Sequence, residues 1–362
     1  MSPSMTRCIR FLILGGFIFG GSQDCPGQEA PETFDLSPKP VAGEAWHRDF
    51  QAKHLLGLDS LVRQEGDQPP QQVQVRTRLS TDNRMRFVDR FDAVDAGRVQ
   101  RFRREILESK VSANQDHLQE GASANAIALD GGVESLRMVY TWAPAEQVYG
   151  RYYEGSEARE AWLAKMPADL PCVVLLPPGP VALNQKWTID PLLLRSVLAP
   201  SGAPQYQTRK GTDRVLTRTL QMGVAGSLFH CIRGRVSGTV TARLVAVTED
   251  VAQVDVTVED VRFLADITEF SRANRLKREE EVGIDSTSGK QLLELTGTGT
   301  LLWDLNAGRM KSFRFGGREL FRTEIEVTGL GGTYSETVQL SGRLEAVFSN
   351  TPAKASKAAP PK

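Results

Sequence analysis

Gln291–Phe315 reads QLLELTGTGTLLWDLNAGRMKSFRF. Leu293, Leu295, Leu301, Trp303 and Leu305 fall on every second position, with Glu294, Thr296, Thr298, Thr300 and Asp304 between them. A period of two is that of a strand with one face buried and one in water. The alternation breaks at Asn306-Ala307-Gly308, a turn-forming group, and resumes over Met310–Phe315, so the stretch predicts a β-hairpin. Gly297 and Gly299 interrupt the inward face and predict a bulge or a neighbour packed against the bare backbone.

The same pattern recurs from about Gly234 to Phe348, as Val236–Val247, Val251–Phe263, Leu320–Val327 and Thr337–Phe348. No long helical pattern separates these runs, so they predict an antiparallel meander. The first half carries echoes of the second. Ala96-Gly97-Arg98-Val99-Gln100-Arg101-Phe102-Arg103 matches Ala307-Gly308-Arg309-Met310-Lys311-Ser312-Phe313-Arg314 at Ala, Gly, Arg, an apolar residue, Phe and Arg. Pro40-Val41-Ala42 before Trp46 is matched by Pro180-Val181-Ala182 before Trp187. Two readings stand side by side: a duplicated β-meander, or two hairpins that converged on the same turn chemistry. The expected fold is mainly β: two related antiparallel β-meander lobes, sandwich or half-barrel like, with a few short helices. Gly97 and Gly308 are placed in turns that need positive φ, and Trp46, Trp187 and Trp303 in the core.

The expected organisation is a signal peptide over 1–22, an extended lead-in over 23–38 and an N-terminal β lobe over 39–153. A helical and loop bridge over 154–200, a C-terminal β lobe over 201–350 and a disordered tail over 351–362 follow. Ser156 caps a candidate helix over 157–165, Asp190-Pro191 opens a second short one, and the polar stretch Thr268–Glu281 is a short helix or a mobile crossover. Gly283–Lys290, GIDSTSGK, has the wrong spacing for a phosphate loop and reads as a turn between strands.

Arg7 and Arg10, the apolar run Phe11–Phe19 and Gly20-Gly21-Ser22 have the order of an export signal, and the run is too short to span a bilayer. The chain is therefore expected in the periplasm, the cell envelope or the medium, with no transmembrane span once mature. Lipid anchoring at Cys25 is disfavoured, because Asp24 stands where a small residue is wanted. Cys172 and Cys231 lie in apolar surroundings and are either a disulfide or two buried thiols.

Charge excludes one class of partner. Lys plus Arg number 44 and Asp plus Glu number 44, so no basic surplus points to nucleic acid. The four histidines, His47, His54, His117 and His230, form no metal-ligand spacing, and no nucleophile elbow or dinucleotide loop occurs. No catalytic, cofactor-binding or metal-binding residue is assigned.

LLPPGPVALNQKWTIDPLLL (175–194), GTGTLLWDLNAGRMKSFRF (297–315) and FDAVDAGRVQRFRREILES (91–109) resemble a group of uncharacterised exported bacterial proteins of planctomycete type. Leu183-Asn184-Gln185 departs from the glycine and acid of that group. The resemblance implies location and architecture, and no site residue. Three functions remain, in this order: a non-catalytic structural or protein-interaction module of the envelope, with an envelope protein as partner; a carrier holding an apolar or amphipathic ligand in a half-barrel cleft; a hydrolase with a dispersed site. A filled core with an exposed apolar patch marks the first, a continuous apolar pocket the second, and convergent ionisable groups in a cleft the third.

Overall fold

The computed structural model describes residues 31–74, 77–117, 125–130, 136–154, 168, 172–200, 207–208, 234–268, 284–329 and 332–353. The expectations for the leader, Cys25, the helix over 157–165, Cys231, most of 268–281 and most of the tail lie outside them. In chain order the strands are β1 (Thr33–Phe34), β2 (Ala45–Glu65), β3 (Gln71–Gln72), β4 (Thr77–Asp95), β5 (Arg98–His117), β6 (Asn125–Asp130), β7 (Arg137–Ala143) and β8 (Val148–Tyr153). Then come β9 (Val181–Ala182), β10 (Lys186–Ile189), β11 (Gln207–Thr208), β12 (Arg235–Thr248), β13 (Val251–Asp266), β14 (Ile284–Asp304), β15 (Arg309–Gly329) and β16 (Gly332–Pro352). The protein is mainly β and antiparallel.

The hairpin read from Gln291–Phe315 is β14 and β15, paired from Asp304↔Arg309 back to Ile284↔Gly329. Both arms are longer than the sequence suggested, and Gly283–Lys290 is corrected: from Ile284 onward it is strand. Thr287 and Gly289 pair with Val327 and Ile325, and Thr287 is buried, so the backbone groups of this polar stretch are satisfied by the ladder. Likewise, Gly316-Gly317 does not end β15. These glycines sit opposite Thr298 and Gly297 within the ladder. A Cβ at Gly297 would meet Phe315 Cζ at 2.8 Å and one at Gly299 would meet Phe313 Cε2 at 3.0 Å, so bare backbone makes room for two rings. Of the two expectations, close packing is the one met; a bulge lies instead in the neighbouring strand β13, between Val258 and Val261, where Asp260 has φ +49.

The sheet runs β10-β12-β13-β14-β15-β16-β2-β4-β5-β6-β11, with β7 and β8 attached to β5, and it is open. The two meanders share it through β16, which pairs with β2 from Tyr334↔Glu65 to Pro352↔Trp46. Inward positions hold the core: Phe50, Phe87, Phe102, Val254, Leu301, Trp303, Phe313 and Phe348 are each at most 2% exposed. Outward positions hold ion pairs, among them Arg86–Glu108 at 3.5 Å, Lys110–Glu108 at 3.1 Å and Arg262–Glu294 at 2.9 Å. A transmembrane β-barrel has the reverse polarity, apolar outside and polar within. This sheet faces water on its charged side.

The connection between the meanders adds a short helical segment. Asp190 caps it, accepting from Leu192 N–H at 2.9 Å with Pro191 in the first turn, and α1 (Leu194–Leu198) buries Leu194 and Val197 against the core. None of the described helices is long and apolar enough to cross a membrane.

Candidate binding cavity

At the end of the sheet where β4 turns into β5 and β14 into β15, a cavity of about 390 Å³ is lined by both turns. β5 and β14 are five steps apart in strand order, which is about 24 Å across a flat sheet. Their meeting at one cavity shows that the sheet wraps around its inner face. The turns are the two echoed by Ala-Gly-Arg. Gly97 (φ +75) follows Ala96 (φ +46) in one, and Gly308 (φ +57) stands in the other. Only a residue that tolerates the left-handed region lets such a chain reverse. Gly308 O also accepts from Lys39 N–H at 3.1 Å, and Leu305 O from the Lys39 ammonium at 2.7 Å, so the segment entering β2 is tied to the second turn.

The wall is mostly aromatic and apolar: Trp46, Phe91, Trp142, Tyr149, Trp303 and Met310. Their rings are fixed by contacts. Trp142 meets Tyr149 edge-on at 5.1 Å, and the Tyr149 hydroxyl donates to Val99 O at 2.6 Å. Burial holds the Tyr149 phenol above its ordinary value, against the opposing field of Arg98. The Arg98 guanidinium lies 4.6 Å over Trp142, and that of Arg309 lies 3.7 Å over Trp46. Trp46 Nε1 donates to Glu44 at 3.2 Å, whose other oxygen is 3.8 Å from Arg309. Trp303 is 1% exposed, and its indole N–H has no hydrogen-bond partner among the described residues.

Behind this wall stands a buried ion cluster. The Asp89 carboxylate receives Arg104 at 2.6 and 2.9 Å and lies 2.7 Å from Arg48 Nε. Arg104 is fully buried, with its guanidinium 4.3 Å over Phe87. Arg48, which lines the cavity, is thereby tethered from β2 to β4. Further along the inner face His54 Nδ1 meets Glu319 at 2.8 and 2.9 Å, both groups buried. The pair spans β2 to β15 across β16. There Gly342 is the β16 partner of both Glu319 and Leu56.

Trp46 and Trp303 are buried and line the cavity, as Gly97 and Gly308 line it from their turns. Trp187 is half-buried, apart from the cavity, and its Nε1 donates to Leu175 O at 3.0 Å. Cys172 is buried with φ +60, while Cys231 lies outside the described residues, as does any bond between them. His47 is exposed on the outer face of β2. Among the described residues no group of three or more His, Cys, Asp or Glu is placed to hold a metal ion. Sequence reading missed the buried ion cluster and the His54–Glu319 pair. Their signal was present, since Arg48 and His54 share the inward register of Trp46, Phe50, Ala52 and Leu56.

No protein-family model matches this chain, and no curated protein does. Among solved structures it is similar to lipovitellin, determined for its lipid–protein interactions, at 9% identity and a TM-score of 0.29 over 88% of this chain. It spans about a quarter of that protein, 26%. The outer membrane protein OprG from Pseudomonas aeruginosa matches at 10% identity and a TM-score of 0.21, over 88% of this chain and 99% of that one. The COG4313 outer membrane channel from Pseudomonas putida F1 matches at 8% identity and a TM-score of 0.23, over 86% and 97%. At TM-scores this far below 0.5 neither kinship nor function follows.

Proposed function

We propose that this is an exported binding protein which holds an apolar or amphipathic ligand in the cavity between its two hairpin turns. The observation that carries the reading is the cavity itself: an aromatic, preformed wall built from Trp46, Trp142, Tyr149 and Trp303, within the size range of small-ligand sites. Away from this cavity the inner face is filled, as expected of the interaction module that the sequence put first. Export rests on the Arg7, Arg10 and Phe11–Phe19 pattern.

A second reading keeps one specific observation. β10 is an edge strand of the sheet, and Leu183, Leu192 and Leu193 flank it with 50%, 41% and 39% exposure. An edge with apolar flanks is a place where another chain adds a strand.

Native mass spectrometry of protein purified from the envelope fraction tests the binding reading. The expected spectrum carries mass beyond the chain that disappears on denaturation. Three of the five tryptophans line the cavity, so adding an acyl-chain probe to delipidated protein should shift the intrinsic fluorescence. A bare mass together with unmoved fluorescence overturns the proposal and leaves the edge strand as the functional surface.

A further inference from the structure

Resting on that binding reading, we infer that the ligand is an amphipathic anion whose carboxylate or phosphate head is taken by Arg98 and Arg309. Cations outnumber carboxylates around this cavity in a chain that is neutral as a whole. Lys39, Arg48, Arg98 and Arg309 line the cavity, and Glu44 is the sole carboxylate among the lining residues. Arg48 is held by Asp89. Glu44 already receives the Trp46 indole and stands 3.8 Å from Arg309, beyond hydrogen-bond length. Arg98 is exposed, has no carboxylate within 4 Å among the described residues and rests on the face of Trp142.

An arginine stacked on a ring has its plane fixed while the N–H groups along its edge stay available, and that fork matches a carboxylate or phosphate. Both turns present such an arginine, directly after the glycine that makes each reversal possible. Trp303 is the independent observation. A buried indole N–H without an acceptor costs free energy unless something supplies one. The polar groups of the lining are already engaged, Glu44 by the Trp46 indole, the Tyr149 hydroxyl by Val99 O and Asn350 by Arg48 and Met310 O, and none of them meets this N–H. The aromatic wall sets the other half of the ligand's chemistry, a hydrocarbon body that needs no polar contact.

The test compares probes of one chain length: a fatty acid, its alkyl phosphate, its alcohol and its trimethylammonium salt, each below its micelle concentration. Tryptophan fluorescence and calorimetry read their binding to delipidated protein. The anions should bind at least about tenfold more tightly than the alcohol, the scale of one charge-assisted hydrogen bond. Higher salt should shrink that ratio, and whichever anion binds better identifies the head. Arg98→Gln combined with Arg309→Gln should bring the ratio of acid to alcohol affinity close to one. The probe series on the unaltered protein stands even where that double variant folds poorly. Alcohol binding as tight as acid binding overturns the head-group inference and leaves the binding reading intact. If no probe binds, the binding reading is overturned and this inference goes with it.

Discussion

Gly308 and Gly97 carry the same turn motif, yet replacing them should have unequal effects. A Cβ at Gly97 meets nothing within 4 Å, so Gly97→Ala bears only the left-handed penalty, about 1–2 kcal/mol. A Cβ at Gly308 would collide with the backbone and side chain of Lys39, so Gly308→Val should cost more, about 3 kcal/mol, and loosen the entry to β2. Thermal melts of the two variants check the order, and equal losses would remove the Lys39 contact from the account. Asp89→Ala should be more damaging, about 3–5 kcal/mol by denaturant unfolding, because it leaves the Arg104 and Arg48 guanidiniums buried without their shared carboxylate. At this scale the sequence was half legible. Alternation put Trp303 and Trp46 inward, and the same alternation put Arg48 and His54 there. What it could not supply was a partner, since Asp89 and Glu319 reach these positions only through strand pairings spanning 41 and 265 residues.

The hairpin of β14 and β15 was legible because a two-residue period over a long run has one interpretation. Its length was not. Glycine pairs and polar stretches punctuate chains by default, and here Gly316-Gly317 and Ile284–Lys290 are absorbed into strands by the ladder beside them. The same reversal of meaning applies to Gly342 in β16. It is neither a turn nor a flexible point: a Cβ there would strike the backbone carbonyl of Leu55 on β2. Gly342→Val should therefore pry β16 from β2 at the crossing of His54 and Glu319. We expect a loss of about 3 kcal/mol or more, with the amides of Leu55–Gly57 losing hydrogen-exchange protection first. Protection lost instead at the β14–β15 turn would show that the joint lies elsewhere. The cavity was beyond sequence reading for a related reason. Each turn is locally plain, but nothing local reveals that two turns separated by some two hundred residues of chain face one space.

At the scale of the whole molecule, a neutral net charge conceals a division of labour. Acid and base alternate as ion pairs over the outer face, while cations outnumber acids around the cavity. This arrangement lets the protein favour an anionic ligand without attracting anions over its whole surface. The pairing of β2 with β16 has a further consequence, in time rather than in space. Of the described strands, β2 is among the first to leave the ribosome and β16 comes after all the others. Until residues 332–352 are made, β2 can pair with β4 on one side while its other edge lies bare. Closing so long a loop makes the final step slow, and an unpaired edge of that length is a template for aggregation. A version truncated before β16 should therefore accumulate in inclusion bodies even though every residue of the cavity except Asn350 is present.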